Sequence, residues 1–122
     1  MSHKILIVDD EPNIVMSLEF LLKKEGFVTE TANDGDVALE KVRGFMPDLV
    51  LLDVMMPKKS GFEVCEILRS DASLSNIRII MLTAKGRETE QAKGLALGAD
   101  AYMLKPFSTK DLVARIRELL PA

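Results

Sequence analysis

The sequence predicts a three-layer α/β/α sandwich built around a five-stranded parallel sheet, and three observations support this fold class. Short apolar runs alternate with longer amphipathic segments, no Pro/Gly/Ser-rich linker interrupts them, and 48% of the 122 residues are hydrophobic. A chain of this length is in the ordinary size range of one compact domain. We therefore expect residues 1–122 to form a single domain.

Short apolar runs mark the predicted strands. The third and fourth runs are almost continuously apolar, which is typical of parallel strands buried on both faces. The second run carries Thr29, Glu30 and Thr31, as expected of an edge strand. The predicted strands cover residues 5–8, 27–31, 49–52, 79–82 and 101–104.

A segment with apolar residues at helical spacing follows each predicted strand. Start signals support these helices: Pro12 suits a first helical turn, Asp34 and Gly35 precede another helix, and Ser108 is followed by Asp111 as a variant capping box. Strands that alternate with helices imply right-handed crossovers and helices on both faces of the sheet. The expected architecture is flavodoxin-like.

Composition narrows the classes of partner and compartment. The net charge of -3 gives no broad positive field, so we expect no direct binding to nucleic acid. The apolar stretch near the N-terminus is too short for a signal peptide or a membrane span, which favours a cytoplasmic protein without a membrane partner. Cys65 is the only cysteine, and a buried inert thiol is favoured over a reactive one.

Polar residues directly follow four of the predicted strands. Because functional crevices of open α/β sheets lie at the carboxyl ends of the strands, these side chains should converge. A lone Asp pair before a helix is more often an N-cap, so the argument rests on all four strand ends together. The residues are Asp9, Asp10 and Glu11 after strand one, Asp53 after strand three, Thr83 after strand four, and Lys105 after strand five.

The predicted cluster of carboxylates implies a metal ion. Crowded carboxylates repel one another unless a cation neutralises them. An all-oxygen donor set favours a hard ion, so we expect Mg²⁺ at Asp9, Asp10 and Asp53, with Mn²⁺ as the alternative. Thr83 and Lys105 would supply a hydroxyl and an ammonium to a phosphoryl group, and Asp53, after the most apolar strand, would accept it.

At these positions the chain resembles the receiver domain of two-component response regulators. The resemblance covers essentially the whole chain, and its motifs are specific in combination. They are Val8-Asp9-Asp10-Glu11, Asp53-Val54-Met55-Met56-Pro57 with Gly61, Thr83-Ala84, and Gly98-Ala99-Asp100 through Tyr102 to Lys105-Pro106-Phe107.

The resemblance implies a chemistry for this site. Asp53 would take a phosphoryl group from a phosphohistidine on a sensor histidine kinase or a histidine phosphotransfer protein. Asp10, Asp53 and the Met55 backbone carbonyl would hold Mg²⁺, with Asp9 acting partly through water. The protein would be a phosphoacceptor that promotes its own phosphorylation and dephosphorylation, and not a separate enzyme.

The resemblance also implies a switch. Thr83 and Lys105 would bind phosphoryl oxygens, and Thr83 and Tyr102 would report phosphorylation to a downstream target or output domain through the last two helices and strand five. Tyr102 as partly buried packing is the simpler alternative. The bond before Pro106 is expected to be cis. Ala101 stands where many DNA-binding regulators carry a second aspartate, so we expect a monomer or a transient dimer.

The sequence leaves alternatives open for the function, the phosphate lifetime and the length of the protein. A receiver-like interaction module that never carries phosphate is the main alternative function. A Mg²⁺-dependent phosphatase with an aspartyl nucleophile is disfavoured because Met55 stands where such enzymes place a second acid. Residues Met55 and Lys85 correspond to positions that tune phosphate lifetime in the family, but the sequence does not give the direction of their effect. The sequence also does not distinguish a stand-alone regulator from a receiver within a longer chain.

Overall fold

The computed structural model describes residues 3–56, 58–84, 88–105 and 107–120, and for residues 84 and 88–91 it describes the backbone alone. Strands and helices alternate along these residues as the apolar pattern predicts. In chain order the elements are β1 (Lys4–Val8), α1 (Pro12–Lys24), β2 (Val28–Ala32), α2 (Gly35–Phe45), β3 (Leu49–Asp53), α3 (Gly61–Ser70), β4 (Arg78–Ala84), α4 (Glu88–Ala96), β5 (Ala101–Lys105) and α5 (Thr109–Leu119).

The strands form one parallel sheet in the order β2-β1-β3-β4-β5, which confirms the predicted fold class. β3 lies at the centre, and β2 is an edge strand as its polar sequence predicts. The observed strands end one or two residues later than most of the apolar runs. Backbone pairing explains the difference, because Asp53 still pairs with Leu82, and Lys105 with Ala84.

The sheet separates two hydrophobic layers. Alternate residues of β1 enter opposite layers: Leu6 and Val8 pack on the side of α2 and α3, whereas Ile5 and Ile7 pack on the side of α1 and α5. This is the three-layer arrangement that the sequence predicts. In the described part of the chain, none of the helices combines the length and the apolar character that a bilayer span requires.

Cys65 belongs to α3, packs into the hydrophobic layer between this helix and the sheet, and is fully buried, as expected. Its thiol is 3.7 Å from the backbone carbonyl oxygen of Leu97. Burial raises the pKa of the Cys65 thiol above its ordinary value. The thiolate is therefore disfavoured, and the residue behaves as a small apolar side chain.

Replacing Thr29 by valine is expected to stabilise the fold by about 1 kcal/mol. The Thr29 hydroxyl on β2 is buried and makes no hydrogen bond among the described residues, and valine keeps the branched shape without the polar atom. Urea denaturation would measure the change. Thr31→Val is the matched control on the same strand, because the Thr31 hydroxyl is not among the buried hydroxyls that lack a hydrogen-bond partner. An equal gain in stability in both variants would contradict the explanation.

Candidate functional site

The carboxyl ends of the strands bring the predicted site residues to one edge of the sheet. Asp9 directly follows β1, Asp53 is the last residue of β3, Thr83 is the second-last residue of β4, and Lys105 is the last residue of β5. Asp53 lies on the central strand, between the other contributors. Asp9, Asp53 and Lys105 come into direct contact.

The Lys105 ammonium holds this cluster together. Its Nζ atom donates to Asp9 Oδ2 at 2.8 Å and to Asp53 Oδ1 at 3.3 Å. Glu11 Oε1 lies 3.7 Å from the same nitrogen, although the sequence assigned Glu11 no role beyond its place after strand one. Because Asp9 is fully buried and the Lys105 side chain is only 16% exposed, the ion pairs of Lys105 with Asp9 and Asp53 are shielded from water.

Asp9 and Asp10 do not cap the helix that follows them. The N-cap of α1 is Glu11, whose side chain makes no capping hydrogen bond. Asp9 Oδ1 instead accepts a hydrogen bond from the Glu11 backbone N–H at 2.9 Å, which fixes the Asp9 side chain beside Lys105. The capping explanation of this acidic pair is therefore wrong, and the pair is available to the site.

The carboxylates of Asp9, Asp10 and Asp53 form a cluster that fits a hard divalent cation. One oxygen from each residue lies within 4.8 Å of the others. Asp9 and Asp53 are buried, whereas Asp10 is exposed, so the cluster opens to solvent on one side. These three carboxylates outnumber the single ammonium of Lys105 beside them, and oxygen donors with an excess of negative charge suit Mg²⁺. Met55, whose backbone carbonyl the family resemblance assigns to the metal, is 67% exposed.

The charge state of Asp53 follows from its surroundings. Burial and the neighbouring Asp9 carboxylate raise the pKa of Asp53 to about 6, against the opposing effect of the Lys105 ammonium. Burial lowers the pKa of Lys105, but its hydrogen bond with Asp9 and the charge of Asp53 outweigh that effect and raise the pKa overall. At neutral pH, Lys105 is therefore a cation and Asp53 is mostly ionised.

Thr83 and Tyr102 lie on the same face of neighbouring strands. Tyr102 pairs with Met81, two residues before Thr83, and the Tyr102 ring packs against the layer that contains Met81. Thr83 is buried with 3% of its surface exposed, and Tyr102 is half-buried. The structure thus places both predicted switch residues on one face of the sheet, on adjacent strands. Pro57, Lys85 and Pro106, and with them the expected cis bond, lie outside the described residues.

Comparison with known proteins gives the same family as the sequence motifs. The family model for the response regulator receiver domain matches residues 5–117. The DNA-binding response regulator MtrA of Mycolicibacterium smegmatis is 48% identical over 120 residues, which are 98% of this chain and 51% of that protein. The alkaline phosphatase synthesis transcriptional regulatory protein PhoP of Bacillus subtilis is also 48% identical, over 98% of this chain and 49% of that protein. The chain spans about half the length of these relatives.

These relatives correct the expectation about nucleic acid. We expected no nucleic-acid partner because the net charge is -3, yet MtrA is named a DNA-binding response regulator. The charge describes only the 122 residues of this chain, which align with about half of MtrA. The net charge of the aligned part of MtrA does not determine the charge of the rest of that protein. The prediction that no nucleic acid would be a partner was therefore wrong.

Solved structures agree with the sequence relatives. A putative response regulator from Chloroflexus aurantiacus superposes with a TM-score of 0.95 at 32% identity, and the match covers all of both chains. The chemotaxis response regulator CheY4 of Vibrio cholerae gives a TM-score of 0.92 at 32% identity, over 98% of this chain and all of that chain. Fold, strand-end acids and sequence agree, and the chain belongs to the response regulator receiver domain family of two-component signalling.

Proposed function

We propose that Asp53 accepts a phosphoryl group from a phosphohistidine on a sensor histidine kinase or a phosphotransfer protein, in a Mg²⁺-dependent reaction. The observation that carries this proposal is the position of Asp53 at the end of the central strand, inside an acidic cluster and 3.3 Å from the Lys105 ammonium. An aspartyl phosphate is an established product of such a carboxylate.

Asp53 is a better acceptor than its two neighbours. Both oxygens of Asp9 are engaged, one by the Glu11 backbone N–H and the other by Lys105, and the residue is fully buried. Asp10 is exposed, and it has no hydrogen bond with Lys105 among the described contacts. The Asp53 side chain is 8% exposed and one oxygen contacts Lys105, so it combines a cationic neighbour with access from solvent.

The proposed step forms one bond and breaks one. A carboxylate oxygen of Asp53 attacks phosphorus, the bond from phosphorus to the donor histidine nitrogen breaks, and the imidazole leaves with that electron pair. Mg²⁺ would be held by Asp9, Asp10, Asp53 and the Met55 carbonyl, and it would neutralise part of the negative charge of the phosphoryl group. Lys105 pairs with a phosphoryl oxygen after giving up its contact with Asp53.

Phosphorylation would then shift the conformation of the domain. The added phosphate charge favours the conformer that brings Thr83 and Lys105 closest, and the neighbouring Tyr102 ring transmits that choice to the surface. The shared sheet face of Thr83 and Tyr102 supports this route. We also propose that the same residues promote loss of the phosphoryl group to water, so the domain controls both directions of its switch.

The wider setting is proposed from the family. Residues 1–122 would act as one receiver domain in the cytoplasm, as expected for members of this family. If the chain belongs to a longer protein resembling MtrA, phosphorylation of the receiver would regulate DNA binding by that protein.

Mass spectrometry of the intact protein tests the proposed acceptor. Incubation with phosphoramidate or acetyl phosphate and Mg²⁺ should add one phosphoryl group of about 80 Da, and EDTA should prevent the gain. Asp53→Asn should remove the labelling completely, whereas Asp111→Asn, an exposed acid on α5, should be labelled as wild type. Normal labelling of Asp53→Asn would refute the assignment, and no labelling of wild type would favour a phosphate-independent interaction module.

A further inference from the structure

The chain between β3 and α3 connects Asp53 to the first turn of α3. We call residues 54–56 and 58–60 the acceptor loop. The loop is closed by a hydrogen bond from the Gly61 backbone N–H to the Val54 carbonyl oxygen at 2.8 Å. Lys58 adopts a φ of 71°, in the left-handed region of backbone conformation. The described residues of the loop are therefore held at its ends by this hydrogen bond, and glycines pack closely against them on two sides.

On the inner side, Gly61 packs directly against β3. A methyl group placed on the Gly61 Cα would overlap the Asp53 carbonyl oxygen and would lie 2.9 Å from Val54 Cα. On the outer side, Gly35, the first residue of α2, packs against the loop at Lys59. A methyl group on Gly35 would lie 2.5 Å from both the Cβ and the carbonyl oxygen of Lys59.

The outer contact joins the loop to a helix that contributes nothing to the acidic cluster. Gly35 is buried, and the helix start is fixed by Asp34, whose side chain accepts a hydrogen bond from the Val37 backbone N–H at 2.8 Å. Lys59 Nζ lies 3.7 Å from Asp36 Oδ1 in the same turn. The capped first turn of α2 thus packs directly against the backbone at Lys59.

We propose that Gly35 is a positioning residue for divalent-metal binding at the acidic cluster. By lacking a side chain, it lets α2 hold the acceptor loop, and with it the Met55 carbonyl, beside Asp53. The inference rests on the proposed function, in which that carbonyl is a metal ligand. Groups that orient metal ligands from outside the coordination sphere commonly change metal affinity by 10–100-fold when they are altered.

The glycines of α2 provide a matched pair of variants. Gly35→Ala forces the Lys59 backbone to move, whereas nothing lies within 4 Å of a methyl group on Gly44 in the same helix. Mg²⁺ affinity measured by titration calorimetry should fall about tenfold in Gly35→Ala and stay at the wild-type value in Gly44→Ala. Urea denaturation in EDTA separates this effect from stability, because a purely structural role would lower stability without changing the affinity of the folded protein.

A second pair approaches the contact from the loop. Lys59→Gly removes the Cβ that rests on Gly35 and should also weaken Mg²⁺ binding by several-fold. Lys58→Gly adds the same backbone freedom at the neighbouring residue, which already has a positive φ, and should keep the wild-type affinity. If Gly35→Ala does not fold, this pair decides the question.

The outcomes distinguish this inference from the proposed function. Folded Gly35→Ala with Mg²⁺ affinity within twofold of Gly44→Ala would overturn the positioning role, as would equal affinity in Lys59→Gly and Lys58→Gly. Wild type that binds Mg²⁺ but takes no phosphoryl group would overturn the proposed acceptor function instead. Selective loss of affinity in Gly35→Ala and Lys59→Gly would support the inference.

Discussion

Replacing Arg69 by methionine should lower the free energy of unfolding by about 3 kcal/mol, the largest loss we expect from a single change outside the hydrophobic layers. The Arg69 guanidinium donates to three backbone carbonyl oxygens, those of Gly98 at 2.8 Å, Ser75 at 3.0 Å and Ile77 at 2.6 Å. It also donates to Asp100 Oδ2 at 2.8 Å. One side chain thus ties the end of α3 to the starts of β4 and β5.

The cost arises mainly from what the substitution leaves behind. Asp100 is 19% exposed and also accepts a hydrogen bond from the Ile79 backbone N–H at 2.8 Å, so its carboxylate stays in place without its closest cation. Methionine preserves much of the apolar stem but donates no hydrogen bond. Arg69→Lys should recover only part of the loss, because an ammonium cannot reproduce the planar set of donors.

Arg78→Met is the matched control for Arg69→Met. Arg78 is 51% exposed and reaches Asp100 Oδ1 at 3.4 Å, so its removal should cost less than about 1 kcal/mol. Both variants would be compared with wild type by urea denaturation with EDTA present. Equal losses in the two variants would show that the Arg69 contacts have no special role.

Asp53→Asn is expected to be more stable than wild type at pH 7.5 in EDTA, by about 2 kcal/mol. The folded pKa of Asp53 is raised from 3.8 to about 6, so the folded protein binds this proton more tightly than the unfolded chain does. Wild-type stability therefore falls as the pH rises from about 4 to about 6, and asparagine has no proton to lose. The full shift corresponds to about 3 kcal/mol, which partial solvent screening of the site reduces.

The pH profile checks this explanation. The difference between Asp53→Asn and wild type should shrink as the pH falls below about 6 and vanish near pH 4. Glu40→Gln, an exposed change on α2, should follow the wild-type profile throughout. Excess Mg²⁺ at pH 7.5 should stabilise wild type selectively, because a ligand of the folded state shifts the unfolding equilibrium. A constant difference at every pH would contradict a titration of Asp53.

Strand positions could be predicted because central parallel strands are buried on both faces. The continuous apolar runs at 49–52 and 79–82 lie within β3 and β4. The convergence of Asp9, Asp53 and Lys105 followed from topology alone, since parallel strands end at one edge. The strand ends were less predictable, because backbone pairing continues past the last apolar residue.

Other features depend on contacts between distant residues. No local pattern indicates that Arg69 would meet Gly98, or that Gly35 would meet Lys59, because side-chain direction and loop shape decide these contacts. Sequence reasoning also could not show that Lys105 contacts Asp9 more closely than Asp53, at 2.8 Å against 3.3 Å. The roles of Thr83, Tyr102 and the Met55 carbonyl stay predictions.

Because the Lys105 ammonium contacts both Asp9 and Asp53, free anions should bind to it weakly. Sulfate, chloride or inorganic phosphate in solution would have to displace Asp9 or Asp53 from the ammonium and would meet the remaining carboxylates at close range. A phosphoryl group bonded to Asp53 needs no such competition, because its attachment places it beside the ammonium and removes one carboxylate charge. Ordinary salts should therefore leave both contacts of the Lys105 ammonium intact.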